Sequence, residues 1–183
     1  MCNLPPMNLC VFAGSRPGAS PGFAAAARAL IHAAAERGLG LVYGAGNVGL
    51  MNVLAEAALE QGMRVTGVIP KHLLVREVAH DGLDELLVVN DMLERKALMA
   101  ERSDAFVAIP GGAGTFDEIF EMLTWQQLGL HDKPTGILDV EGYFGPLRAL
   151  IDNAREKGFL TEAHADLLHF DTEPRRLLKR LFE

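Results

Sequence analysis

Residues 105–118, Ala105-Phe-Val-Ala-Ile-Pro-Gly-Gly-Ala-Gly-Thr-Phe-Asp-Glu, run from an apolar stretch through a glycine-rich turn into an amphipathic segment. The stretch Ala105–Ile109 is short, apolar and closed by proline, which predicts a strand. Phe116, Ile119, Phe120 and Leu123 then recur on one face at helical spacing and predict a helix over Phe116–Leu128. Between strand and helix stand three glycines and a threonine. The first N–H groups of a helix lack intrahelical partners, and glycine lets a ligand come close to them, so this turn is suited to an anion. No Gly-Lys-Ser/Thr follows at the required spacing, which separates it from the P-loop.

The same alternation extends in both directions. Strands are predicted at Leu9–Phe12, Leu39–Tyr43, Val65–Ile69, Glu85–Val89 and Thr135–Leu138, with helices near Pro21–Arg37, Val48–Gln61, Met92–Glu101, Phe144–Lys157 and Pro174–Phe182. Ser20-Pro21 reads as an N-cap with proline at the first helical position, and Asp91 with Glu94 resembles a capping box. Gly38, Gly62 and Gly158 stand where helices should stop. The expectation is an α/β fold, a Rossmann-like open parallel sheet with helices on both faces, in one domain over residues 1–183.

The 183 residues suffice for a sizeable core. A formal net charge of −7 argues against a nucleic-acid polymer as partner, since that binding is driven by a basic surface. It leaves room for a small anion held by a few N–H groups and one or two cations. No apolar run approaches a bilayer span and the N-terminus lacks the regions of a secretory signal, so neither a membrane nor secretion is expected. Cys2 and Cys10 make no disulfide framework, and Cys10 reads as a small buried residue; the expected compartment is the cytoplasm.

Two more glycine segments follow predicted strands, Ala13-Gly-Ser-Arg-Pro-Gly and Gly44-Ala-Gly-Asn-Val-Gly-Leu-Met. In an open parallel sheet such segments gather beyond the carboxyl ends of the strands, where ligands bind, although each taken alone serves equally as a tight turn. Gly44-Ala-Gly-Asn-Val-Gly formally matches a dinucleotide fingerprint, yet the region about twenty residues on, Arg64-Val-Thr-Gly-Val-Ile-Pro-Lys, offers no carboxylate for a ribose. A dehydrogenase is disfavoured. Glu118, Glu121 and Thr124 recur at steps of three behind the phosphate turn; alone, the two acids also fit a solvated helix start. Met92, Arg95 and Met99 share a stripe of the preceding helix with Lys96 beside it, and Arg95 either snorkels to the surface or points at the ligand.

Taken together, Leu41-Val-Tyr-Gly-Ala-Gly-Asn-Val-Gly-Leu-Met, Arg95-Lys96, Pro110-Gly-Gly-Ala-Gly-Thr-Phe-Asp-Glu, Thr124-Trp-Gln-Gln-Leu-Gly-Leu-His-Asp-Lys-Pro and Gly142-Tyr-Phe resemble the LONELY GUY family. Its members are cytokinin riboside 5′-monophosphate phosphoribohydrolases, long mislabelled as lysine decarboxylases. The resemblance covers Asn8 to Phe159. It implies a homodimer, an AMP-like nucleotide substrate, and neither metal nor redox cofactor. By motif, Arg95 and Glu118 form the catalytic pair, while Lys96 and Gly112, Ala113, Gly114 and Thr115 hold substrate and Gly111 shapes the turn. Glu77 and Thr124 match further substrate-binding positions. Ala45 and Asn52 depart from the family's glycines. Lysine decarboxylation would need an internal aldimine lysine and a pyridoxal phosphate site, for which no residues speak.

The chemistry implied is cleavage of a ribosyl C1′–N9 bond by water, giving free base and ribose 5-phosphate. Positive charge builds on the sugar in such reactions, so a carboxylate there stabilises it and can take the proton of the attacking water. Glu118 is assigned that role, with Glu121 either orienting the ribose hydroxyls or sharing the catalytic burden, and Arg95 anchoring and orienting the nucleotide or also assisting departure of the base. The competing expectation is a nucleotide or cofactor carrier without hydrolytic activity, which would keep the glycine cradle and need neither Arg95 nor Glu118.

Overall fold

A computed structural model describes residues 7–74, 80 and 82–183. Among them the strands are β1 Asn8–Phe12, β2 Gly40–Tyr43, β3 Val65–Pro70, β4 Glu85–Val89, β5 Ala105–Ala108, β6 Thr135–Leu138 and β7 Leu168–Asp171. They form one sheet in the order β4-β3-β2-β1-β5-β6-β7, with every pairing parallel. Parallel neighbours need long crossovers, supplied here by helices. These are α1 Pro21–Glu36, α2 Gly49–Glu60, α3 Lys71–Leu74, α4 Met92–Glu101, α5 Ala113–Gln127, α6 Gly145–Glu156, α7 Glu162–Ala165 and α8 Pro174–Phe182. The Rossmann-like α/β architecture expected from the pattern is the one observed.

Side chains alternate across each strand and so divide the core in two. Leu9, Val11, Leu41, Tyr43 and Val107 face α1, α2 and α8. Cys10, Phe12, Val42, Phe106 and Ala108 face the layer that includes α4, α5 and α6. On that second face Phe12 and Phe106 stack with ring centroids 6.1 Å apart. From β1 the chain builds outward to β4, then returns to the other flank of β1 as β5. The strand order reverses between these neighbours, and the loops leaving their carboxyl ends diverge to open a crevice.

The local signals hold in detail. Ser20 Oγ accepts from the Gly22 N–H at 3.1 Å, and Asp91 Oδ1 accepts from the Glu94 N–H at 2.9 Å. Glu94 Oε2 takes the Asn90 N–H, 2.7 Å, one residue earlier than a standard capping box would. Gly38, Gly62 and Gly158 follow their helices at positive φ. Two features differ from expectation. Helix α5 begins at Ala113, three residues before Phe116, because Gly112 caps it through its backbone and leaves no side-chain signature. The short α3, α7 and edge strand β7 are additional to the expected elements; in Leu168-His-Phe-Asp polar residues alternate with apolar ones and leave no apolar run to announce a strand. No helix of the described residues is long and apolar enough to cross a membrane.

Candidate active site

The three glycine segments meet at Gly14. Its N–H donates to the Pro110 carbonyl at 3.1 Å, and its own carbonyl accepts from the Leu50 N–H at 3.0 Å. Side chains are excluded from this junction. A Cβ on Gly111 would stand 2.1 Å from Thr115 Oγ1 and 2.8 Å from the Gly14 nitrogen. Beside the junction lies a cavity of about 230 Å³ walled by Ser15, Met51, Met92, Arg95, Glu118 and the stretch Gly112 to Thr115.

One wall is the start of α5. Gly112 is the N-cap and Ala113, Gly114 and Thr115 form the first turn, so the anion cradle is the open end of the helix itself. No side chain among the described residues caps it, and Gly112, Ala113 and Gly114 are exposed. The helix dipole and the unpaired N–H groups therefore both face the cavity. Glu118 follows one turn later and is buried, as is Arg95 on α4. The Arg95 guanidinium lies 3.7 Å from Glu118 Oε1, each side chain only 9% exposed. This disposes of two readings left open by the residues: Glu118 is no solvated helix acid, and Arg95 does not snorkel outward.

Arg95 Nη2 also donates to the Gly44 carbonyl at 3.3 Å, and Nη1 rests 3.7 Å from the Met92 sulfur. Its Nε is buried without a partner among the described residues. Burial pushes the Glu118 carboxyl up to about 7; Arg95 opposes the rise and Asp117 adds to it. The group is thereby poised to exchange a proton near neutrality. Behind it, burial and the Glu118 charge push the Cys10 thiol up, as suits a buried structural cysteine.

Lys96 and Glu121 are close to this pair but outside the cavity wall. Lys96 Nζ lies 2.9 Å from Asp117 Oδ2 and 2.8 Å from Glu121 Oε2. The Glu121 oxygen has no well-aligned hydrogen bond, so this contact is chiefly an ion pair. Burial alone would lower the Lys96 ammonium, but the adjacent carboxylates of Glu121 and Asp117 outweigh that and raise it. Thr124 sits farther along α5, exposed, donating to the Phe120 carbonyl at 2.7 Å. It lines a groove of about 300 Å³ between α5 and α6 and does not reach the Arg95/Glu118 cavity of its own chain. Glu77 lies outside the described residues.

Sequence reasoning missed Asp117 as a partner of Lys96, the Gly44 carbonyl as an Arg95 acceptor, and Tyr143, whose hydroxyl donates to the Gly111 carbonyl. Asp117 was within sight as part of the motif. Gly44 and Tyr143 likewise stand in quoted motifs, but their contacts join segments distant in the chain and nothing local announces them. Ala45, the departure from the family's middle glycine, adopts φ 58° while fully buried, a left-handed conformation that glycine takes more readily. Among the described residues no cluster of three or more His, Cys, Asp or Glu is placed to hold a metal ion.

A family model described as "possible lysine decarboxylase" matches residues 51–181. A probable cytokinin riboside 5′-monophosphate phosphoribohydrolase of Oryza sativa subsp. japonica is 50% identical over 152 residues, 83% of this chain and 68% of that one. A cytokinin riboside 5′-monophosphate phosphoribohydrolase of Arabidopsis thaliana is 43% identical over 173 residues, 94% of this chain and 81% of that one. Among solved structures, the molybdenum cofactor binding protein from the phototrophic bacterium Rippkaea orientalis superposes with a TM-score of 0.71 at 22% identity, covering 97% of this chain and 98% of that one. The molybdenum cofactor carrier protein of Chlamydomonas reinhardtii gives 0.72 at 20% identity, with the same coverage. At such identities these two likenesses establish the fold alone. With the glycine segments, Arg95 and Glu118 brought together at one crevice and relatives of this similarity along most of its length, the chain belongs to the LONELY GUY family of cytokinin riboside 5′-monophosphate phosphoribohydrolases.

Proposed function

We propose that the protein hydrolyses the N-glycosidic bond of AMP or of N6-substituted adenosine 5′-monophosphates, giving the free base and ribose 5-phosphate. The observation that carries this reading is the buried Arg95–Glu118 pair, 3.7 Å apart, facing a cavity at the uncapped start of α5. The 5′-phosphate binds the N–H groups from Gly112 to Thr115, which sets the ribose beside Glu118 one turn along the helix. Water attacks C1′ as the C1′–N9 bond breaks, its electron pair leaving with the base. The Glu118 carboxylate opposes the charge on the ribosyl centre and takes the proton released by the water, and that proton passes by way of solvent to the departing base, so that neutral base leaves and Glu118 is again ionised. Arg95 anchors the nucleotide and, in the free protein, holds the Glu118 carboxyl below where burial alone would put it.

A pure carrier would keep the helix-end cradle yet have no use for a buried carboxyl that titrates near neutrality, and this favours the enzyme. Lys96 acts through Asp117 and Glu121, restraining the flank of α5 on which Glu118 stands. We infer further that the chain forms one nucleotide-binding domain, supported by the one sheet among the described residues, and that it assembles as a homodimer. The support for the latter is an apolar surface around the α5/α6 groove, with Leu128, Leu130 and Leu150 exposed and Phe159 89% exposed. Thr124 on this surface contacts nucleotide only if a second copy brings its own site there. The buried free thiol of Cys10 suits a reducing compartment, and we place the protein in the cytoplasm.

The test is incubation with AMP, isopentenyladenosine monophosphate and adenosine, with the released base followed by chromatography. Charge-assisted hydrogen bonds are worth about 1.5–3 kcal/mol each, so loss of the phosphate should lower kcat/KM by orders of magnitude. Equal cleavage of AMP and adenosine would remove the phosphate cradle from the account.

A further inference from the structure

Tyr143 reaches the phosphate turn from outside the catalytic cavity. Its ring lines a neighbouring cavity of about 360 Å³, together with Phe23, Leu50 and Pro110, and this larger space contains neither Arg95 nor Glu118. The two cavities share Gly14, Ser15 and Gly112, so the glycine turn is the partition between them. On the partition the Tyr143 hydroxyl donates to the Gly111 carbonyl.

We propose that Tyr143 is a positioning residue of the site: by holding the Gly111 carbonyl it fixes the Gly111–Gly112 peptide plane, so that the Gly112 N–H faces the substrate phosphate. The inference rests on the phosphate-binding role given to this turn above. In a trans peptide the carbonyl and the N–H point in opposite directions, so an acceptor drawn toward Tyr143 sends the donor away from it. The residues on both sides of this peptide are glycines, which lack the Cβ that restricts rotation elsewhere. Nor can a side chain stiffen the turn at Gly111, where a Cβ would collide with Thr115 Oγ1 and the Gly14 nitrogen. Rigidity has to come from a neighbour. A flipped peptide would present a carbonyl oxygen to the phosphate and turn an attraction into a repulsion.

Tyr143 is itself held firmly. Glu141 and Gly142 before it are consecutively left-handed, at φ 54° and 72°. Glu141 Oε1 accepts from Ser20 Oγ at 2.7 Å, and the Tyr143 N–H donates to the Val140 carbonyl at 3.0 Å. Its ring meets the buried Phe144 edge-on at 4.9 Å and stacks on Phe116, a residue of α5, at 6.5 Å. The hydroxyl is thus delivered by an aromatic cluster that is anchored partly on the helix whose N-terminus it serves.

Tyr143→Phe removes the hydroxyl and keeps the ring. The loss of one hydrogen bond of ordinary strength predicts a roughly ten-fold rise in KM for AMP and in Ki for ribose 5-phosphate. Turnover at saturation should stay within about two-fold, since Glu118 is untouched, and inhibition by free adenine should not change. Thermal melting confirms that the variant folds. Unchanged KM and Ki overturn the proposal, and so does an equal weakening of adenine, which is the mark of a structural role only. If unmodified protein cleaves AMP no better than adenosine, the phosphate turn itself is wrong and the proposal falls with it, a failure seen before any variant is made.

Discussion

The guanidinium of Arg95 occupies the space that a side chain on Gly44 would fill: a Cβ there would lie 1.8 Å from Arg95 Nη2. The glycine at the end of β2 therefore gives the arginine room to reach both the Gly44 carbonyl and Glu118. The colliding atom is the far end of a flexible side chain, so Gly44→Ala should displace Arg95 with little strain in the fold. Misplacement of a reacting or anchoring group by about 1 Å costs on the order of 100-fold in rate. Gly44→Ala is expected to lose activity on that scale while its melting temperature stays close to that of the parent. Full activity in the variant would show that Arg95 need not stand where it does.

The raised Glu118 carboxyl ties stability to pH. Its ordinary value is 4.5 and burial lifts it to about 7 in the folded chain. Below about 4.5 the group is protonated in both states and has no effect. Between 4.5 and 7 the unfolded chain ionises first, so native stability falls as pH rises; above 7 the loss, on the order of a few kcal/mol, is complete. Glu118→Gln carries no such penalty. Its melting temperature should match that of the parent near pH 4.5 and exceed it by on the order of several degrees at pH 8. A constant gap across that range would mean the carboxyl is not perturbed by folding.

Lys96 stands on the other side of the same balance. Its charge lowers Glu118, whereas Asp117 and Glu121 raise it. Lys96→Met deletes the cation and leaves both neighbouring carboxylates unneutralised. If Glu118 is the base, kcat/KM for AMP rises with pH through a midpoint near 7 in the parent, and Lys96→Met moves that midpoint upward. Rate profiles over pH 5–9 measure this, and a midpoint that falls or stays fixed contradicts the assignment.

Much of this was readable from the residues, for identifiable reasons. Strands β1 to β6 announce themselves as short apolar runs between glycine turns, and helix ends at Ser20, Asp91, Gly38 and Gly62 carry local chemistry. Strand β7 does not, because His169 and Asp171 break Leu168-His-Phe-Asp into single apolar residues, whereas the other edge strand, β4, carries the run Leu86-Leu-Val-Val. The resemblance pairs Arg95 with Glu118 but says nothing of their burial; an acid in the second turn of a helix is ordinarily solvated, and here Arg95, bonded to the Gly44 carbonyl, stands over it. The same limit hid the contacts of Lys96 with Asp117 and of Tyr143 with Gly111, each made between segments far apart in the chain. Motif spacing places Thr124 on the same helix as Glu118 but does not tell that it is exposed in the α5/α6 groove, away from the Arg95/Glu118 cavity of its chain.

The most direct measurement is the turnover of AMP by Glu118→Gln set beside its affinity for AMP by calorimetry, with melting data to show that the protein is folded. Gln keeps the size of the side chain and removes the charge that opposes a ribosyl cation. The expected result is a fall in kcat of at least about 100-fold with AMP still bound, because the open end of α5 is unaltered. A folded Glu118→Gln protein that turns over AMP at the parental rate would contradict it.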